Sequence, residues 1–390
     1  MTDDAKHPEG PLRHLAADLG QLEAAGLLRV RPEPIDGQDG ARTIQLSSND
    51  YLGYRASGRL APYARAAAEE HPAGSGASRL IVGEHRAHRT LETSLARWLG
   101  FDESLVFTTG YTANLGVISA LAKEGDLIVS DAWNHASIID GCRLSRAEVA
   151  VVPHLDVGAV REALRGSRAR RRWVVTEGYF SMEGDTPDLA ALRSVCDDYD
   201  AALIIDDAHA IGVLGPAGRG CAAAAGVRPD VLIGTLGKAL GAQGAFVAGS
   251  SDLCRWLWNR ARPFVFSTGL SPLLSAIAVG AVKEAQGDDA GRARVLGASS
   301  ALRQQLADAA LPVARSYGPI LPVILGEERR ALAWGRRLGE LGIRILPIRP
   351  PTVPRGTSRL RIAVHAGLSE SEVGRAVDAM KELLRDGVGE

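Results

Sequence analysis

The chain has 390 residues, more than one typical core holds, so two lobes are expected. Its 46% hydrophobic content and formal net charge of −1 describe an ordinary globular protein, with no global field to draw nucleic acid or an anionic membrane. The acidic opening Met1-Thr2-Asp3-Asp4 lacks the apolar stretch of a signal peptide, and no run reaches the roughly 18–20 apolar residues that span a bilayer; a cytoplasmic protein is the expectation.

Residues 1–45 hold an amphipathic segment, 14–28, followed by an arm punctuated by proline and glycine. From 46 to 285, short apolar runs alternate with longer helical patterns. The runs at 105–107, 127–129, 149–152, 173–175, 203–205, 231–233 and 245–247 read as buried strands. The chain between them leaves room for crossovers, which predicts a largely parallel α/β sheet. Polar clusters follow the runs: Thr108-Thr109-Gly110, Ser130-Asp131, Thr176-Glu177, Asp206-Asp207 and Thr235. Sheets of this kind gather ligands at the carboxyl ends of their strands, so these groups should converge. The basic run Arg168-Ala169-Arg170-Arg171-Arg172 reads as a solvated loop before a strand.

Beyond 286 the pattern changes to a helix at 299–310, strand candidates at 321–325 and 360–364, and a terminal helix. That helix opens with Ser369-Glu370-Ser371-Glu372, a capping-box pattern, and should bury Val373, Ala376, Val377, Met380, Leu383 and Leu384. A smaller α+β domain is predicted over 286–390. The four cysteines (Cys142, Cys196, Cys221 and Cys254) have no paired spacing and fit buried, reduced thiols better than a disulfide framework or a metal site.

Lys238 is one of five lysines among 45 basic residues and lies in Gly234-Thr235-Leu236-Gly237-Lys238-Ala239-Leu240-Gly241. Lysine offers an amine that can lose its proton and attack a carbonyl carbon; arginine does not. Upstream, Asp206 ends an aliphatic run, where a buried carboxylate needs a cationic partner. A pyridinium nitrogen is such a partner, and His209 lies three residues on. Asp-x-x-His alone would fit a carboxylate capping the next helix; with Lys238 one strand later, an aromatic aldehyde cofactor held as a Schiff base is favoured. Thr109-Gly110-Tyr111-Thr112 marks a strand-to-helix turn whose free N–H groups could hold a phosphate, or simply a glycine turn capped by Thr112. Thr235 could add a hydroxyl to that phosphate, and the flat ring of His135 could stack on the cofactor.

These residues resemble the α-oxoamine synthase family of pyridoxal-phosphate enzymes, which have the aspartate-aminotransferase-like fold (fold type I). The similar stretches are Ser48-Asn49-Asp50-Tyr51-Leu52-Gly53, Gly74-Ser75-Gly76-Ala77-Ser78-Arg79-Leu80, and residues 110–116, 135–141, 176–185, 206–209 and 235–241. The resemblance implies a large α/β/α cofactor-binding domain over 46–285 with a small C-terminal domain. It implies that Lys238 carries pyridoxal 5'-phosphate, that Asp206 pairs with the ring nitrogen, and that His209 and Ser181 bond the phenolic oxygen. His135 would stack on the ring, and Gly110, Tyr111 and Thr235 would contact the phosphate. Ser267 and Thr268 would reach the phosphate of a neighbouring subunit, implying a homodimer with shared active sites.

Family members join an amino acid to an acyl thioester, mostly with loss of carbon dioxide. The segment 348–361, with Arg349-Pro350-Pro351-Thr352, resembles the branch that takes L-alanine and a pimeloyl thioester. By that likeness Arg349 would hold a carboxylate, Thr352 would line the acyl pocket, and Arg29, Asn49 and Ser78 would serve substrate binding. Ala210 and Trp133 depart from the family pattern, and Trp133 could reshape the pocket beside His135. A glycine-using member, an aminotransferase and a non-catalytic partner subunit are the other readings.

Overall fold

The computed structural model describes residues 10–31 and 43–389. The acidic opening and most of the proline- and glycine-punctuated arm lie outside the described residues. The strands, in chain order, are β1 (Ile44–Gln45), β2 (Glu103–Phe107), β3 (Leu127–Asp131), β4 (Glu148–Val152), β5 (Arg172–Glu177), β6 (Ala201–Asp206), β7 (Val231–Thr235), β8 (Ala245–Gly249), β9 (Ile320–Gly326), β10 (Ile343–Arg344), β11 (Pro347–Ile348) and β12 (Ser358–Ala363).

All seven expected strands form one sheet, ordered β2-β8-β7-β6-β5-β3-β4. Strands β7, β6, β5, β3 and β4 run parallel, whereas β8 is antiparallel to both β7 and β2. The reversal has a simple cause. Only residues 236–244 join β7 to β8, too few for the helical crossover a parallel pair requires. Strands β3, β7 and β8 are buried along their whole length, as expected where helices cover both faces. Two apolar clusters lie on the two faces, one with Val129, Val174, Leu203 and Phe246, the other with Ile128, Val175, Ile204 and Val247.

In the C-terminal part, β11-β12-β9 form an antiparallel sheet. It packs with helices Asp289–Asp308, Glu328–Glu340 and Glu370–Arg385 around Trp334, Leu302, Leu306, Leu360 and Met380. The first of these helices begins at Asp289, ten residues before the expected start at 299, with Asp288 capping it through Gly291 N–H at 2.9 Å. Glycines and alanines at 290–298 supply few large apolar side chains, which hid the period. Ser369 accepts from Glu372 N–H at 3.3 Å and Glu372 returns an oxygen to Ser369 N–H at 2.8 Å, completing the expected box. Five of the six expected apolar positions on this helix are buried and Leu384 is half-buried. Each of the larger buried side chains, Val373, Val377, Met380 and Leu383, contributes roughly 1.5–3 kcal/mol of burial. Strand β1 pairs with β10, so residues 44–46 join the C-terminal core.

The N-terminal helix His14–Ala24 buries none of its residues. All four cysteines are free and buried. Arg172 opens β5, and Arg170 before it pairs with Asp126 at 3.0 Å. Among the described residues, no helix is long and apolar enough to cross a membrane.

Candidate active site

Lys238 stands in the short connection between β7 and β8. Leu236 N–H donates to Gly244 carbonyl and Gly241 N–H to Lys238 carbonyl, both at 2.9 Å, which closes the loop tightly. Gly241 has φ of +62°, and a Cβ there would stand 2.9 Å from Tyr54 Cβ and Arg55 N. Only glycine serves there. Lys238 keeps a partly open flank, but its amine is enclosed by protein. Removal from water lowers the amine to about 8, against the pull of Asp206 and Glu177 and with added repulsion from Arg361.

Asp206 ends β6 with both oxygens engaged. Oδ2 accepts Asn114 Nδ2–H at 2.6 Å and Oδ1 accepts Ala208 N–H at 2.9 Å. It caps no helix, so the carboxylate is left to the pocket. His209 Nδ1 lies 2.7 Å from the Tyr51 hydroxyl. Burial holds its pKa well below the usual histidine range, and Lys238 and Arg361 add to the effect. His135 precedes helix Ala136–Ser145, with Nδ1 accepting Ser137 N–H at 3.2 Å. Although His135 keeps an exposed flank, desolvation of the ring lowers its pKa, opposed by Asp206 and aided by Lys238.

Helix Gly110–Leu121 starts at the carboxyl end of β2. Thr109 and Thr112 cap each other's backbone N–H, so the two leading N–H groups, of Gly110 and Tyr111, have no helical carbonyl to bond. A Cβ at Gly110 would meet nothing within 4 Å, so the turn has room for a ligand. Thr109 is the cap and Thr112 closes the box with it, while the first N–H groups remain open. Tyr111 hydroxyl donates to Asp140. Thr235 Oγ1 accepts Gly237 N–H at 3.2 Å and donates to Gly244 carbonyl at 3.1 Å, holding the lysine loop.

Sequence reasoning gave no role to four groups that build this site. Arg361 is buried; Nη1 donates to Asn49 Oδ1 at 3.1 Å, Nη2 reaches Tyr51 hydroxyl at 3.4 Å, and Nε donates to Ser181 carbonyl. Glu177 is the register partner of Asp206 on the adjacent strand. Its Oε2 accepts Ser181 N–H at 3.3 Å, and burial beside Asp206 raises its pKa well above the usual range. Asn114 and Ser137 complete the set. Asn114 was legible as a lone amide in an apolar helix; Ser137, among ordinary surface-like residues, carried no signal.

The outer residues are placed as follows. Arg349 donates to Gly26 carbonyl, and Arg29 Nη2 to Thr352 Oγ1 at 3.3 Å. These bonds join the N-terminal segment to the 349–352 turn. Ser78 Oγ donates to Val265 carbonyl at 2.7 Å, and Gly269 N–H to Ala77 carbonyl at 2.9 Å. The Ser267-Thr268 loop is thereby bound to the 74–80 segment. Trp133 stacks on the His154 ring at 4.0 Å rather than on His135, because Asp131 and Asp185 pin His154 at 2.9 and 3.2 Å. Ala210 is fully buried.

A lysine amine poised near neutrality, a doubly held carboxylate, two histidines kept neutral and an open helix start fit pyridoxal 5'-phosphate. Fold and site together define a pyridoxal-phosphate enzyme of fold type I. The sequence profile of aminotransferase class I and II matches residues 41–380, and the chain belongs to that family. An 8-amino-7-oxononanoate synthase of Anaeromyxobacter dehalogenans is 45% identical over 97% of each chain. One of Aromatoleum aromaticum is 42% identical over 95% of this chain and 98% of its own. Among solved structures, a Sphingomonas wittichii serine palmitoyltransferase is similar at a TM-score of 0.85, with 32% identity over 88% of each chain. A structure of SPT with PLP aligns at 0.89, with 27% identity over 96% of this chain and 98% of that one.

Proposed function

We propose that the chain condenses L-alanine with a pimeloyl thioester, releasing the thiol and carbon dioxide and giving 8-amino-7-oxononanoate, a step of biotin synthesis. The observation that carries this reading is the near-full-length identity of 45% to a synthase of that name. The Lys238–Asp206–His209 geometry supports it.

When bound, the cofactor supplies an electron sink for charge developing at the alanine Cα. Lys238 holds the cofactor and then acts as the base, since lowering its amine to about 8 gives it a far larger neutral fraction near neutral pH than an ordinary lysine has. It takes the Cα proton and later returns it. Asp206 receives the ring N–H, while His209 and Ser181 bond the phenolic oxygen. Gly110, Tyr111 and Thr235 serve the phosphate, and His135 covers the ring. Arg349 orients the alanine carboxylate before it is lost, and Arg29 with Thr352 lines the acyl end; Asn49 and Ser78 support the pocket walls.

We also read the enzyme as a cytoplasmic homodimer in which Ser267 and Thr268 reach the partner's phosphate. Support comes from exposed apolar side chains near that loop: Phe266 at 72%, Leu144 at 60%, Ile81 at 75% and Val82 at 77%. Phe266 and Leu144 also line a cavity of about 770 Å³ that contains none of the site residues. Such surface is characteristic of a face that a second subunit covers. We place the cofactor-binding domain at 46–285 and the small domain at 286–390.

Thiol release by the purified enzyme tests the reaction, with alanine or glycine offered against pimeloyl-CoA, acetyl-CoA and a pimeloyl carrier protein. Alanine with a pimeloyl donor should be preferred. Preference for glycine with acetyl-CoA, or amino-group exchange without thiol release, would overturn the reading.

A further inference from the structure

His135 and Asp206 lie on different elements, yet one buried series of hydrogen bonds joins them. Asn114 Nδ2 donates to Asp206 Oδ2 at 2.6 Å and to Ser137 Oγ at 2.9 Å, and Ser137 Oγ lies 2.7 Å from His135 Nδ1. Asn114 is 2% exposed and Ser137 0%. Close helix packing makes the span possible. A Cβ at Gly141 would stand 3.0 Å from Ile118 and 3.2 Å from the Asn114 carbonyl, so helix Ala136–Ser145 lies directly against helix Gly110–Leu121.

The direction of each proton follows from the donors available. A carboxylate only accepts, so the amide must turn its NH₂ toward Asp206. That same NH₂ occupies a lone pair of Ser137 Oγ, leaving the serine O–H to donate. Ser137 backbone N–H also points at His135 Nδ1, at 3.2 Å. A backbone N–H cannot reverse its role as a hydroxyl can. Nδ1 therefore keeps its lone pair, and the single proton of the neutral ring sits on Nε2.

We propose that Asn114 and Ser137 are positioning residues that tie the Asp206 carboxylate to His135 and fix His135 as a neutral Nε2–H donor in the reaction pocket. This rests on the placement of Asp206 and His135 in the cofactor site. Protonating His135 at Nδ1 would set a proton against the Ser137 N–H and force its hydroxyl to turn. His135 is therefore a hydrogen-bond donor to the reacting groups rather than a proton carrier. Asn114, by holding Oδ2, fixes the plane in which Asp206 meets the ring nitrogen.

The test is nitrogen NMR on ¹⁵N-histidine-labelled, cofactor-loaded enzyme, with His135 assigned by comparison with His135→Gln. His135 should show a protonated Nε2 and a bare Nδ1 throughout roughly pH 6 to 9. Ser137→Ala should raise its pKa by about one unit, and Ser137→Thr, which keeps the hydroxyl, should restore it. Asn114→Leu should do the same as Ser137→Ala. Both disruptive variants should lower kcat about tenfold with KM for alanine little changed. A proton on Nδ1 in the unaltered enzyme, or an unmoved titration in Ser137→Ala, would overturn the proposal. Should Asn114→Leu fail to fold, Ser137→Ala, the smaller change, decides. Failure of the enzyme to bind pyridoxal phosphate would instead defeat the functional reading, while the same spectra would still report the His135 tautomer.

Discussion

Tyr51 and His209 share a hydrogen bond of 2.7 Å, shorter than the 3.2 Å from the same hydroxyl to Asn49 Oδ1. Arg361 donates to the phenol oxygen from the other side at 3.4 Å. The hydroxyl has one proton, shared between Asn49 Oδ1, which only accepts, and His209 Nδ1. His209 is anchored by this bond and kept neutral, by burial first and by the positive charges of Lys238 and Arg361 second. Tyr51→Phe should lower kcat about tenfold and alter the absorption of bound cofactor. Unchanged spectrum and rate would show that His209 needs no such fixing.

Lys238 should govern a pH dependence of its own. Burial lowers its amine to about 8, so the nucleophilic fraction grows as pH rises toward that value and then levels off. The rate at which cofactor-free enzyme captures pyridoxal phosphate should rise about tenfold per pH unit below 8 and flatten above it. Absorbance stopped-flow measures this directly. Lys238→Ala should cut turnover by at least about a thousandfold.

His154 makes a separate contribution to stability. Burial lowers its pKa, but hydrogen bonds to Asp131 and Asp185 outweigh that and raise it to about 9. The folded pKa lies above the unfolded value of about 6.5, so the stabilisation is complete below about pH 6.5 and disappears as pH rises through about 9. Its size is roughly 1–3 kcal/mol. The Tm difference between the enzyme and His154→Gln should be large at neutral pH and shrink toward pH 10. A difference independent of pH would remove charge as its cause. Because Trp133 stacks on this ring, indole fluorescence should brighten over the same interval.

Among the described residues, Arg349 donates to one backbone carbonyl, that of Gly26, a bond it can trade for a carboxylate. Arg361 has three partners and is fixed. Arg349→Ala should therefore raise KM for alanine about ten- to a hundredfold with a smaller change in kcat. Arg361→Lys should act mainly on kcat, because a lysine cannot bridge Ser181, Asn49 and Tyr51 at once. Steady-state kinetics with varied alanine separates the two.

Much of this was legible in the sequence because strand ends and glycine turns announce themselves. Asp206 and Lys238 each follow an aliphatic run, and the Ser369-Glu372 box marked its helix correctly. The direction of β8 was not read from its apolar run, which says nothing of its neighbours, although the short link 236–244 already excluded a parallel crossover. Arg361 was hidden because an arginine in a strand looks like a surface residue until its partners, 180 to 312 residues away in sequence, are placed around it. Ser137 is silent because a serine beside a helix start is commonplace, although its partners lie only 2 and 23 residues away. The stacking partner of Trp133 was not legible, because His154 follows a different strand.

The bond from Arg349 to Gly26, with that from Arg29 to Thr352, makes residues 26–29 a clasp on the 349–352 turn. During synthesis on the ribosome, that clasp must wait for residues 349–352 to emerge, so two segments 323 residues apart must both be made before it can close.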